Sequence, residues 1–252
     1  MSQVDSLFET CLRLGDTALV LGQRLAEWSS KAPTVELDIA LSNHALDMIG
    51  QAQLFLEYAG RVEGKGRDED ALAYHRQDFE FRNAMIAELP KGDFACTMVR
   101  QLLFATYASM LYERMTASTD ADLAAIAGKA EKEMAYHARH AGEWVVRLGD
   151  GTEESHQRAQ DAVKLLWPYS HELFQTDAVD QAMIDKGVLP DAASFKAEWQ
   201  EEVEMVLARA TLSLPEDDWM PSGGRSGQHT EHLAYLLAEM QVLPRAYPDA
   251  KW

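Results

Sequence analysis

The spacing of the prolines constrains this sequence more than any other single feature. Eight prolines occur in 252 residues, and none lies at positions 34–89 or 91–167. Proline inside a helix removes a backbone hydrogen bond and clashes with the preceding turn. The longest helices are therefore expected in those two stretches. The prolines are Pro33, Pro90, Pro168, Pro190, Pro215, Pro221, Pro244 and Pro248.

Apolar residues in the proline-free stretches recur every three or four positions, which is the period of an amphipathic helix. A glycine-rich charged segment at 60–70 and the N-cap residues Ser118 and Asp120 divide these stretches. We predict long helices at about 5–29, 34–60, 92–117 and 120–149, a shorter one at 69–88, and others at 155–174, 191–211 and 228–243. No segment shows the alternation of a strand, so the sequence predicts an all-α fold.

Four long helices with a helical segment between the second and third are typical of a ferritin-like four-helix bundle with additional helices. We expect one such domain over residues 1–252, although other all-α arrangements fit the same pattern. The second helix has one apolar stripe with Leu41 and Met48 and another with Ile39 and Leu46. A helix that is apolar on most sides is expected to be central or to lie in an interface. The fourth helix has a core-facing stripe. Its members are Leu123, Ile126, Ala127, Ala130, Met134, His137, Ala141, Trp144 and Leu148.

Charge and composition exclude several classes of function. The 23 Lys and Arg against 41 Asp and Glu give a net charge of −18, which disfavours nucleic acid and fits a basic protein partner. The chain has no run of about 18 apolar residues and no basic N-terminal segment, so we expect no membrane partner and a cytoplasmic location. Cys11 and Cys96 lie in amphipathic runs, and we predict that both are buried thiols.

A ferritin-like bundle raises the question of a di-iron site. Such a site needs Glu from two helices and Glu-x-x-His from the other two, because residues three apart share one helix face. The third predicted helix has no acidic residue from Gln101 to Tyr112, and the second has Met48 and Gln51 at the ligand spacing. Asp16 on the first helix is expected to be solvated or to pair with an arginine of that helix. We therefore expect no bound metal, no catalytic residue and no cofactor site in this chain.

Seven side chains on the second and fourth long helices mark the positions of a degenerate metal site. They are His44, Asp47, Met48, Gln51, Glu133, Tyr136 and His137. His44 and Asp47 are more typical of a buried hydrogen-bonded pair than of metal ligands, and Glu133 could accept a hydrogen bond from His137. We infer that these four residues form a buried polar cluster in place of a metal.

The segment at 223–233 places His229 and His232 one helical turn apart, with Glu231 between them. A structural metal could use such a pair, but no third histidine or cysteine accompanies it. A helix N-terminus that docks on a neighbour, with Glu231 favoured by the helix dipole, explains the segment better. We therefore regard His229, Glu231 and His232 as possible interface residues.

Several short motifs occur in a fixed order along nearly the whole chain. They are RLGD at 13–16, QRLAEW at 23–28, DMIGQA at 47–52, KE at 132–133, YH at 136–137, RLGDGT at 147–152, GQHTEHL at 227–233, LAEMQ at 237–241, Trp144 and the terminal Trp252. In this order they resemble the C-subunit family of bacterial ring-1,2-phenylacetyl-CoA epoxidases, the multicomponent monooxygenases of aerobic phenylacetate catabolism.

The resemblance implies a ferritin-like fold and a non-catalytic, structural role. It implies a partnership with the A subunit, which carries the di-iron centre, and with the B subunit. The complex uses O2 and electrons from NADPH, delivered through a reductase with FAD and an iron–sulfur cluster, to epoxidise phenylacetyl-CoA. Met48, Gln51 and Ala105, which stand where ligands would be needed, agree with this picture. In isolation the chain could form a homo-oligomer.

Two other classes of function remain open from the sequence. A di-metal carboxylate oxidase or oxygenase that acts by itself would need a glutamate in the middle of the third long helix. A helical protein that binds an apolar small molecule would need a cavity of ligand size.

Overall fold

The computed structural model describes residues 3–216, 219–248 and 250. This part of the chain contains α-helices and short 3-10 turns but no strand, which confirms the all-α prediction. None of its helices is long and apolar enough to cross a membrane. The helices are α1 (Gln3–Ala26), α2 (Val35–Glu63), α3 (Glu69–Tyr74), α4 (Met85–Glu88), α5 (Phe94–Met115), α6 (Ala121–Gly149), α7 (Glu153–Ser170), α8 (Ala178–Ile184), α9 (Lys196–Arg209), α10 (Glu231–Met240) and α11 (Val242–Ala246).

The chain divides into two compact units. The first contains the residues up to Pro90 together with those from Ser222 onward, and the second is Lys91–Pro221. Each unit is built on one pair of long helices, α1 with α2 and α5 with α6. Two such pairs are the components of a ferritin-like bundle. The prediction of a single domain over residues 1–252 stays a prediction.

In the first unit, α1 and α2 pack closely and run antiparallel. A Cβ atom added at Gly15 would lie 2.9 Å from Leu56, and one added at Gly22 would lie 3.0 Å from Ile49. Because the later of these two α1 residues meets the earlier of the two α2 residues, the helices run in opposite directions. Glycine at these two positions lets the helix backbones approach each other more closely than larger side chains would allow.

The prediction of a continuous helix at 69–88 is wrong. The segment forms α3, a 3-10 turn at Asp78–Glu80 and α4, and the residues that flank the turn, Gln77 and Phe81, are extended. Polar contacts explain the interruption, because the Arg76 guanidinium donates hydrogen bonds to the carbonyls of Leu72 and Glu80. The backbone N–H of Arg82 donates to the Asp16 carboxylate of α1 instead of to a helical carbonyl.

In the second unit, the beginning of α6 and most of its buried face agree with prediction. The side chain of Asp120 caps α6 by accepting a hydrogen bond from the backbone N–H of Leu123. The predicted stripe is buried as far as Ala141, after which the buried face moves to Val145 and Gly149. Trp144 and Leu148, also predicted for this stripe, are only half-buried. A straight helix drifts relative to a strict seven-residue repeat, which explains the shift.

Helices α7 and α9 of the second unit pack on α5 and α6. The ring of Trp199 on α9 stacks on that of Trp167 on α7 with centroids 5.4 Å apart, and its indole N–H donates to the Leu103 carbonyl of α5. Helix α8 was not predicted; Asp177 caps its first turn. Cys11 in the first unit and Cys96 in the second are buried thiols, as predicted.

Candidate functional site

On α2, the degenerate ligand positions present side chains unsuited to iron. His44, Met48 and Gln51 are buried on one face of the helix, whereas Asp47 is half-buried. That face therefore offers an imidazole, a thioether and an amide. A carboxylate-bridged di-iron site needs carboxylate oxygens from this helix as well as imidazole.

On α6, the candidate positions separate into buried and exposed groups. His137 is fully buried. Tyr136 is 46% exposed, and its ring stacks on His140 with centroids 6.2 Å apart. Glu133 lies 3.8 Å from the Lys129 Nζ. His44 and Asp47 belong to the first unit and Glu133 and His137 to the second. The polar cluster predicted from these four residues stays a prediction.

Helix α5 supplies no carboxylate to its buried face, because its one acidic residue, Glu113, is exposed in the last turn. Ala105 is fully buried at the mid-helix position, and Gln101 is buried one turn before it. Gln101 is not among the predicted site residues, and its side-chain amide has no hydrogen-bond partner among the described residues. Neither these α5 residues nor Met48 and Gln51 on α2 supply the carboxylates that a di-iron centre needs.

The described residues contain no group of three or more His, Cys, Asp or Glu arranged to hold a metal ion. That this chain binds no metal stays a prediction.

The central polar residue of the first unit is Glu88 at the end of α4, which is not among the site residues predicted from the sequence. Glu88 is fully buried. Its Oε2 atom lies 2.7 Å from the Nδ1 atom of His229 and accepts a hydrogen bond of 2.8 Å from Asn83. Its Oε1 atom accepts a hydrogen bond of 2.6 Å from the backbone N–H of Thr230. Glu88 therefore holds the residues that precede α10 against α4.

The surroundings of His229 favour the charged form of its imidazole. Its Nε2 atom lies 3.0 Å from the carbonyl oxygen of Phe81, so both ring nitrogens face acceptors. A neutral imidazole has one N–H, whereas an imidazolium donates from both nitrogens. Burial opposes the charge, but the Glu88 hydrogen bond and charge, the Phe81 carbonyl and the charge of Asp16 outweigh it and raise the pKa of His229. An imidazolium has no lone pair for a metal ion.

Arg24 on α1 completes this arrangement. Its guanidinium donates hydrogen bonds of 3.2 and 2.7 Å to the backbone carbonyl of Glu88 and one of 3.1 Å to that of His232. It also pairs with Glu27 at 2.7 Å. His232 thus contributes its carbonyl to the fold, while Glu231 is exposed. An interface role for His229, Glu231 and His232 stays a prediction.

The prediction for Asp16 is wrong. Asp16 is fully buried and pairs with Arg76, which lies outside α1. One arm of the guanidinium lies 2.9 Å from Asp16 Oδ2, the other contacts Oδ1, and the group stacks 4.3 Å over the ring of Phe81. A buried carboxylate needs a charge partner, and Arg76 fills that role.

A cavity of about 450 Å³ lies among α5, α6 and α9 in the second unit. Leu102, Gly142 and Val206 form part of its apolar lining. Six charged side chains also line it, which does not suit an apolar small molecule. They are Glu113, Arg139, Glu143, Glu198, Glu202 and Arg209.

These features define an all-α protein with the paired long helices of the ferritin-like class and without the donor set of a di-iron site on α2 and α5. The chain belongs to the family of phenylacetic acid catabolic proteins, whose family model matches residues 1–252. It is 44% identical over 241 residues to the C subunit of the 1,2-phenylacetyl-CoA epoxidase of Escherichia coli (strain K12), and the match covers 96% of this chain and 97% of that relative. The family resemblance seen in the sequence is confirmed. Trp252, one of the residues that carry it, lies outside the described residues.

Proposed function

We propose that this chain is the structural C subunit of a 1,2-phenylacetyl-CoA epoxidase of aerobic phenylacetate catabolism. The observation that carries the proposal is that a chain 44% identical to the C subunit of such an epoxidase has Ala105, not a carboxylate, at the middle of α5. In this proposal the A subunit holds the di-iron centre, and a reductase with FAD and an iron–sulfur cluster supplies electrons from NADPH. The complex also contains a B subunit and works in the cytoplasm.

The proposed role is to bind the catalytic A subunit and to stabilise it. An apolar stripe on α2 supports this role, because Val35, Ile39 and Leu46 are 72%, 58% and 66% exposed and lie on one face of the helix. Exposed apolar side chains grouped in this way are typical of interaction sites. A partner that binds only the folded form of the A subunit raises its stability by mass action.

The first test is the iron content of the chain purified alone from iron-supplemented cells. We expect far less than one iron atom per chain by elemental analysis, because α2 and α5 lack the required carboxylates. About two iron atoms per chain, with the absorption of an oxo-bridged pair, would instead assign a di-metal oxygenase to this chain.

The second test is binding to the purified A subunit. We expect the double variant Ile39→Asp, Leu46→Asp to bind at least about tenfold more weakly, since it places two charges in a desolvated contact. Leu165→Asp is the matched control, because Leu165 is an exposed apolar residue of α7 in the other unit. Equal loss of binding in both variants, or in neither, would reject the α2 stripe as the contact surface.

A further inference from the structure

A groove of about 390 Å³ lies in the first unit where α3 meets α10 and α11. Two side chains hold its walls together. The Gln241 amide donates hydrogen bonds to the carbonyls of Ala73 and Arg76 at 3.0 and 3.1 Å. The Arg245 guanidinium donates to the carbonyls of Tyr74 and Arg76 at 3.0 and 2.8 Å. The groove is therefore formed by elements fixed to one another.

The groove has apolar and aromatic walls that are open to solvent. Tyr74, Met240, Leu243 and Tyr247 line it, and Leu243 and Tyr247 are 52% and 61% exposed. The exposed side chain of Val242 lies next to Leu243 in the chain. Grouped exposed apolar side chains suit the binding of a protein segment. A small ion would leave these side chains in contact with water.

Two carboxylates, those of Asp70 and Glu239, also line the groove. Neither forms an ion pair or a hydrogen bond with a described residue. Burial and then the charges of Glu69 and Asp68 raise the pKa of Asp70, although His75 opposes them. A cation placed in the groove would relieve this repulsion.

We propose that this groove binds a lysine- or arginine-bearing segment of a partner protein. The cationic head lies between Asp70 and Glu239, and the aliphatic stem packs on Leu243. The rings of Tyr74 and Tyr247 provide faces for cation–π contact. The net charge of −18 favours a basic partner over an acidic one. The inference does not depend on the proposed enzyme complex.

The test uses the full chain and a short fluorescein-labelled peptide in which lysines alternate with leucines. Fluorescence anisotropy gives its affinity for the wild type and for Asp70→Asn, Glu239→Gln. We expect the double variant to bind at least about fivefold more weakly, as for the loss of two partly exposed ion pairs. Glu153→Gln, Glu201→Gln is the control, because it removes the same charge from exposed residues of the second unit. It should change the affinity less than about twofold.

Carbodiimide cross-linking of the peptide lysines to protein carboxylates locates the site directly. We expect mass spectrometry to find the cross-links mainly at Asp70 and Glu239, and Tyr247→Ala to weaken binding without moving them. Equal losses in the two double variants, or cross-links spread over the acidic surface, would overturn the proposal. Circular dichroism checks that each variant is folded.

Discussion

The ion pair between Glu88 and His229 makes the stability of the first unit depend on pH. The folded state raises the pKa of His229, so it holds a proton that the unfolded chain, with a histidine pKa of about 6.5, releases more readily. The contribution is complete below about pH 6.5 and is lost as the pH rises through the raised pKa.

We therefore expect His229→Gln to lower the free energy of unfolding by about 2 kcal/mol at pH 6 and by less at pH 9. Urea denaturation across this pH range measures the difference. The exposed His75→Gln is the control and should have little effect at any pH. An effect of His229→Gln that stays constant with pH would show that the imidazole is neutral in the fold.

The buried pair of Asp16 and Arg76 gives a second prediction at this scale. Asp16→Asn leaves the buried Arg76 charge without its carboxylate, and we expect a loss of about 3 kcal/mol in the free energy of unfolding. Glu9→Gln removes another α1 carboxylate, which pairs with the more exposed Arg82 of the same segment. We expect it to cost less than about 1 kcal/mol. Similar losses in both variants would mean that burial of the pair is not the cause.

These two ion pairs could not be predicted from the sequence, because the two residues of each pair are distant along the chain. His229 and Glu88 are separated by 141 residues, and Asp16 and Arg76 by 60. A glutamate or aspartate in an amphipathic segment is normally solvated. The only local signal at Glu88 is that it interrupts the apolar run from Met85 to Leu89.

At the scale of elements, the long helices were predictable because their signal is local. The predicted helix at 120–149 and the observed α6 agree closely, since an amphipathic period and an N-cap at Asp120 define it. The predicted helix at 69–88 fails because contacts with α1 take its backbone out of the helical pattern. Helix α8 has seven residues, too few to show a clear period.

Two glycines on the long helices allow the effect of close packing on stability to be distinguished from the effect of helix propensity. A Cβ atom added at Gly149 would lie 2.1 Å from the carbonyl oxygen of Ala210 after α9, whereas one added at Gly50 on α2 meets nothing within 4 Å. We expect Gly149→Ala to destabilise the protein by about 2 kcal/mol through overpacking. Gly50→Ala should stabilise it by about 0.5–1 kcal/mol. Thermal unfolding compares the two, and the same sign for both would contradict the close contact.

At the scale of the whole molecule, the described residues form the helix pairs of a ferritin-like fold, and α2 and α5 lack the carboxylates that a di-iron site takes from them. His137 is the one fully buried member of the candidate positions on α6. If the chain is a structural subunit, this histidine supports the packing of its own unit, and the iron of the complex depends on another chain. Stability of this chain and iron content of the complex should then respond independently to changes at His137.

We expect His137→Leu to leave the iron content of the reconstituted complex unchanged. Leucine places an apolar side chain of similar size at the buried position, so the variant should fold with a loss of about 1–3 kcal/mol from imperfect packing. Met134→Leu is the control, because Met134 is buried one turn earlier on α6 and the change conserves volume. Elemental analysis gives the iron per complex, and circular dichroism the fold of the variant alone. Loss of iron from a complex whose His137→Leu chain remains folded would show that His137 acts on the metal site after all.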